Sequence, residues 1–326
     1  MKFDYVCDCH NDSILRIADG EYDSLISTYN MSQKHRFLQI FAIFNENGSG
    51  YTRESMAGNL GVERSDLYGA VLKLMDIFND PSKSGSFDRC FGFRDICNSA
   101  KIGNNIGMLG LEGAGMIDSI EKLHEIYGRG VRFITLTWNP SNCIASGCSA
   151  TGTSYDTGLT SYGKQFVKEC GRLGIAVDLS HASQKTMRDV LEQSDCAVLA
   201  THSNFYSVCP HVRNLPDDVA EEIVRRGGFI GLNTYLPFVR EGVDYDNYEP
   251  GFLFDHIDHA LERGWHRNLG FGFDIDGIDG YALGITLDLS VHDQYLELLE
   301  HSVKYDGSLI YGLRCGNFMD FLERSF

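Results

Sequence analysis

The sequence predicts an α/β protein built as a (β/α)8 TIM barrel, on three observations. Apolar runs of strand length alternate with amphipathic helical segments about eight times along the 326 residues. The runs are nearly continuous rather than alternating, the pattern expected of strands covered on both faces. No glycine-rich G-x-G-x-x-G loop follows the first run, which disfavours an open doubly wound sheet.

In chain order the expected strands are Phe3–Cys7, Leu38–Phe44, Ile106–Gly110, Val131–Leu136, Ile175–Leu179, Ala197–Ala200, Phe229–Leu232 and Leu269–Phe273. Between them, residues 66–79 place Leu67, Val71, Leu74 and Ile77 at helical spacing, and residues 163–173 do the same with Phe166, Val167, Cys170 and Leu173. The segment opening at Pro216 begins with Asp217 and Asp218 and closes on Arg225, Arg226, Gly227 and Gly228. Acids at the positive end of a helix, bases at its negative end and glycine to stop it mark both boundaries. Two long loops, 45–65 and 139–158, follow the second and fourth strands. Barrels place their sites at that end of the strands, and loops of this length in a compact domain are lids or binding loops. With no repeat, low-complexity tract or linker, residues 1–326 are expected to form a single domain.

Charge and cysteine usage narrow the function classes. Subtracting 45 acidic from 28 basic residues leaves −17, which repels phosphate backbones and argues against a nucleic-acid partner. No stretch is apolar and long enough to span a bilayer, and the opening MKFDYVCDCHND lacks the basic and hydrophobic regions of a signal peptide. Ten scattered cysteines suit reduced thiols, so a cytoplasmic location without a membrane partner is expected. Cys7-x-Cys9 and the pair Cys143 and Cys148 have the softness of metal ligands, but lack a second matching pair.

Polar residues of ligand type stand where the expected strands end. His10 and Asp12 follow the first as H-x-D, Glu112 the third, His181 the fifth, His202 the sixth, and Asp274 and Asp276 the eighth. A lone histidine at a strand end is more often a satisfied core group than a ligand, and an acid before glycine is by default a turn residue. Their concurrence carries the inference, because a barrel gathers separate strand ends at one rim. Three imidazoles and two carboxylates form a donor set for zinc or a similar borderline cation. Alternation along an extended strand sends His10 and Asp12 to the same side. Arg213, on the loop leaving the sixth strand, suits bidentate capture of a ligand carboxylate. Asp274 suits a substrate ammonium or a proton. The other histidines (His35, His124, His211, His256, His259, His266, His292 and His301) read as surface residues.

In order and spacing, these motifs resemble the membrane (renal-type) dipeptidase family of zinc peptidases. The matching stretches are Asp8–Asp12, Gly110–Gly113, Gly130–Thr137, Gly158–Thr160, Val177–His181, Thr201–Asn204, Arg213–Leu215 and Gly270–Gly277, with Cys315–Phe318 fitting the last helix. The resemblance implies a barrel of the metal-dependent hydrolase type holding two zinc ions, other divalent metals remaining open. Glu112 would bridge both ions, His10 and Asp12 would hold one, and His181 and His202 the other. Arg213 would bind the C-terminal carboxylate of a dipeptide; Asp274 would contact its amine and assist proton transfer. The implied activity is hydrolysis of free dipeptides, C-terminal D-residues included, by attack of a metal-bridging hydroxide.

Two positions depart from the family pattern. Trp138 stands where relatives carry a histidine for the scissile carbonyl, and its single indole donor replaces that role only in part. Cys9 replaces the usual glycine. A related metal-dependent amidohydrolase acting on N-acyl amino acids, cyclic amides or lactones, and a non-catalytic binding protein, stay open as alternatives. So does the oligomeric state, a homodimer included.

Overall fold

The computed structural model describes residues 3–18, 35–44, 54–85, 87–244, 246–249, 251–274 and 289–326. Eight strands run parallel in chain order: β1 (Val6–Asn11), β2 (Phe37–Phe44), β3 (Ile106–Glu112), β4 (Val131–Thr135), β5 (Ala176–Asp178), β6 (Val198–Ala200), β7 (Phe229–Leu232) and β8 (Leu269–Phe271). A two-residue strand at Asp88–Arg89 adds to the start of β3. The first and last strands meet where Asp274 N donates to His10 O at 3.2 Å and Phe273 N to Asp8 Oδ1 at 3.0 Å. The result is a (β/α)8 barrel.

Each predicted strand is present, with one displacement. β1 covers Val6–Asn11 rather than Phe3–Cys7, and every residue in it is buried. Its polar letters hide it from a hydrophobic count, because buried Asp8, His10 and Asn11 are interleaved with the core residues Val6, Cys7 and Cys9. The expected helices form at Leu67–Asn79, Ser161–Leu173 and Asp217–Arg225. Asp66 caps the first of these through Gly69 N, and Thr160 caps the second through Gly163 N, each satisfying an otherwise unpaired helical donor.

Leu38, Ile40, Met108, Phe133, Ala176, Leu199 and Phe229 join Cys7 and Cys9 in one buried cluster, which the last helix, Asn317–Ser325, completes with Phe318, Phe321 and Leu322. Phe318 packs on Phe229, the first residue of β7, with ring centroids 5.0 Å apart. The end where the strands begin is thereby filled with apolar side chains, and the chemistry is left to the end where they finish.

Loop 139–158 is a packed insertion rather than a free lid. Ile144, Ala145, Ser146 and Cys148 are buried, and bridges join Ala145 to Leu159 and Gly147 to Ala182. Of loop 45–65, a helix forms at Glu54–Leu60, whereas residues 45–53 lie outside the described residues. All ten cysteines are free thiols. None joins a cluster able to hold a metal among the described residues, so the soft-ligand reading of Cys7, Cys9, Cys143 and Cys148 is not supported. No described helix is long and apolar enough to cross a membrane.

The expectation of surface histidines fails at His256, which is fully buried. Its Nδ1 accepts from Phe205 N at 3.2 Å and its Nε2 donates to Val239 O at 2.9 Å, so both ring nitrogens are satisfied by backbone. A helical position revealed nothing of these two partners, which arrive from the end of the short helix Leu236–Val239 and from Phe205. The side chain of His292 lies outside the described residues.

Candidate metal centre

Three local devices aim the site residues. Between Asp8 and Asn11 β1 takes three steps while β2 takes two, from Gln39 to Phe41. This bulge re-aims the end of the strand, as bulges beside sites do. The other two devices are left-handed backbones: His181 has φ 63° and Asp274 φ 62°, and among the described residues no other non-glycine shares that region. Such conformations cost of order 1–3 kcal/mol and persist only where surrounding packing holds them.

Glu112 stands at the centre, 5% exposed. Its Oε2 lies 3.3 Å from His10 Nε2, and its Oε1 lies 2.9 Å from His181 Nε2 and 3.5 Å from His202 Nε2. Asp12 Oδ2 sits 3.5 Å from His10 Nε2. Two donor groups therefore share one carboxylate: His10, Asp12 and Glu112 on one side, and Glu112, His181 and His202 on the other. All five residues marked as ligands in the sequence come together.

The outward nitrogens decide what the inward ones offer. His181 Nδ1 faces Asn139 Oδ1 at 2.9 Å, and His202 Nδ1 faces Thr201 Oγ1 at 2.7 Å. With these nitrogens protonated, each Nε2 presents a lone pair inward, and the two Nε2 atoms lie 2.9 Å apart. Lone pairs facing at that distance repel unless a cation lies between them. His10 Nε2 is buried and makes no hydrogen bond among the described residues. This donor chemistry fits divalent cations.

Electrostatics point the same way. Burial alone would lower the His10 pKa, yet Glu112 and Asp12 outweigh it and hold the imidazole well above its ordinary value. Burial would raise the Glu112 carboxyl, but His10 and His181 keep it well below the usual carboxylate range. The cluster thus calls for positive charge. Burial, joined by Arg213, lowers His181 to about 4; burial, His10 and Arg213 take His202 well below its ordinary value. Both are neutral donors at neutral pH.

The family model described as membrane dipeptidase, peptidase family M19, matches residues 5–324. The chain belongs to this membrane dipeptidase family. A protein named as an uncharacterised dipeptidase in Schizosaccharomyces pombe is 40% identical over 197 residues, 60% of this chain and 47% of the relative. The match thus spans about half the length of that curated relative. The crystal structure of a Rhodobacter sphaeroides metallopeptidase, liganded with a phosphinate mimic of the dipeptide L-Ala-D-Ala, superposes with a TM-score of 0.84 at 24% identity, covering 99% of this chain and 100% of that one. A second structure, called dipeptidase AC of family M19, gives 0.82 at 24% identity over 100% and 99% of the two chains. At such identity the structures bear on the fold.

Within this dipeptidase-family barrel, the remaining marked residues line the same mouth. Arg213 is 2% exposed; its Nη2 donates to His202 O at 3.4 Å, and its Nε and Nη1 are buried without a hydrogen-bond partner among the described residues. The guanidinium lies 5.3 Å from the centre of the Phe238 ring. Asp274 Oδ1 is 3.9 Å from His10 Nε2, and its Oδ2 accepts from Asn233 Nδ2 at 2.9 Å. Burial, reinforced by the charges of Asp12 and Glu112, raises its carboxyl to about 7. The Trp138 indole stacks on His181 at 5.9 Å and 26°, with Phe44 behind it at 5.3 Å. Asp276 lies outside the described residues.

Sequence reasoning passed over Asn139, Asp178, Thr201 and Asn233. Asp178 and Thr201 stand one to three residues from the candidate ligands His181 and His202, a usable signal. Asn139 and Asn233 arrive from other strand ends, and only the fold shows what they touch.

Proposed function

We propose that the chain is a metal-dependent dipeptidase whose donor set, divided by Glu112, would hold two divalent cations, zinc by the residue types. One observation carries the reading: the two carboxylate oxygens of Glu112 point at separate imidazole groups, 3.3 Å from His10 on one side and 2.9 Å from His181 on the other. His10, Asp12 and Glu112 would hold one ion, and Glu112, His181 and His202 the second. When bound, such ions acidify a water and polarise the scissile carbonyl.

The protein's own groups orient the substrate. Arg213, with two donor nitrogens lacking acceptors among the described residues, takes the C-terminal carboxylate in bidentate fashion. Asp274, held by Asn233, contacts the amine and assists proton transfer. Trp138 walls the scissile bond beside His181. A charged group for each terminus restricts substrates to two residues, because a blocked terminus leaves a buried charge unpaired. The dipeptide mimic bound by the R. sphaeroides structure supports including C-terminal D-residues among the substrates to test. Ten free thiols support a reducing compartment such as the cytoplasm, and the continuous barrel supports one domain.

Metal analysis with a substrate panel tests this. Two ions per chain, with free dipeptides cleaved at least about 100-fold faster than N-acetylated dipeptides or tripeptides, is the expected result. Preferred cleavage of N-acyl amino acids would move the chain to the amidohydrolase reading. Tightly held ions without turnover would make it a binding protein.

A further inference from the structure

A single hydroxyl touches one histidine from each half of the donor set. Thr201 Oγ1 lies 2.7 Å from His202 Nδ1 and 3.3 Å from His10 Nδ1, and it donates to Asp178 Oδ2 at 2.5 Å. A hydroxyl has one proton and two lone pairs, and an ionised carboxylate can only accept. Asp178, 1% exposed, is filled with donors: Thr135 Oγ1 at 2.7 Å on Oδ2, and Ser180 N and Thr201 N at 2.9 Å on Oδ1. The Thr201 proton is therefore committed to Asp178, and both of its lone pairs face imidazoles. Each of those rings therefore presents Nδ1–H to Thr201, and its Nε2 is the nitrogen left to face the centre.

The backbone that carries this hydroxyl has little freedom. A Cβ on Gly231 or Gly272 would lie 2.1 Å or 1.7 Å from Thr201 O, so β7 and the residue that follows β8 close on the peptide because both positions are glycine. His181 depends on a different anchor, Asn139 Oδ1.

Resting on the two-cation reading above, we infer that Thr201, backed by Asp178, is a shared positioning residue: it sets the tautomer of one histidine in each cation subsite and ties the two cation affinities together. His202 alone would need only a local partner. A hydroxyl placed between His202 and His10 means that one substitution loosens both subsites.

The test is cation affinity rather than turnover. Full-length chain stripped with chelator is titrated with Co2+, followed by visible absorption, and with Zn2+ against a chromophoric chelator. The wild type should bind two ions. Thr201→Val should weaken both by about 10–100-fold, in the range expected when a partner that orients a ligand is lost. Thr201→Ser should restore both, and Asn139→Leu should weaken only one. Asp178→Asn, of nearly equal volume, should repeat the paired loss and serves if Thr201→Val is not recovered folded. Thr201→Val or Asp178→Asn leaving either affinity at the wild-type level overturns the inference, as does Thr201→Ser binding as weakly as Thr201→Val. A wild type that binds no ion at all overturns the metal centre itself, an outcome distinct from these.

Discussion

Replacing Arg213 by methionine should make the ligand-free protein more stable and the enzyme far worse. Among the described residues the guanidinium makes one side-chain hydrogen bond, a long one of 3.4 Å to His202 O, while Nε and Nη1 are buried without acceptors. A buried donor left unsatisfied costs about 1–3 kcal/mol. The two nitrogens together therefore cost roughly 2–6 kcal/mol, a penalty that a thioether side chain does not incur. Against this, the cation–π contact with Phe238 at 5.3 Å is lost, worth about 1–2 kcal/mol in a desolvated setting. Methionine keeps the unbranched apolar stem and fills the same channel. The net gain is roughly 0–5 kcal/mol, read by urea denaturation of chelator-treated protein.

Activity should move the other way. Losing one partner of a buried charge pair costs about 2–5 kcal/mol, which at about 1.4 kcal/mol per decade is roughly 30- to 4,000-fold in kcat/KM. Arg213→Lys keeps the charge but not the fork and should fall between. A less stable Arg213→Met enzyme that still cleaves free dipeptides at the wild-type rate would refute the assignment of this residue to the substrate carboxylate.

Glu112→Gln removes the charge shared by both donor groups; dialysed protein should retain fewer than two ions per chain, and kcat/KM should fall by about 1,000-fold or more, equivalent to the several kcal/mol such ions supply. Asp274→Asn should erase the preference for a free amine, so the ratio of kcat/KM for a free dipeptide over its N-acetyl analogue collapses toward one. His256 gives a pH signature away from the centre: burial lowers its pKa from 6.5 to about 4. The unfolded chain then binds more protons than the folded one between those values, so stability falls as pH drops from 6.5 toward 4, by up to about 3 kcal/mol. In chelator-treated protein, His256→Gln should start less stable at about pH 7 and show a shallower loss down to about pH 4.5; an unchanged slope would place the titration elsewhere.

The barrel was legible because strands buried on both faces read as nearly unbroken apolar runs, and seven of the eight announced themselves in this way. The eighth, β1, was misplaced for the reason that matters most: Asp8, His10 and Asn11 occupy it as buried polar residues. The candidate ligands were legible because residues of ligand type cluster at or just after strand ends, and a barrel brings those ends to one rim. His256 was not legible, since its two backbone partners, Phe205 and Val239, lie 51 and 17 residues away.

By itself, then, the chain's order of residues determined the repeating strand–helix pattern, the residue types available for a cation and the family motifs that tie them together. Tertiary structure alone decided that Glu112 divides its oxygens between two imidazole groups, that Asn139 and Thr201 orient those rings, and that Arg213 keeps two donors without acceptors among the described residues. Apolar periodicity is a local property and survives in one dimension. Hydrogen-bond saturation depends on partners dozens or hundreds of residues apart, such as Thr201 and His10, 191 positions away from each other, and exists only once the strands have closed.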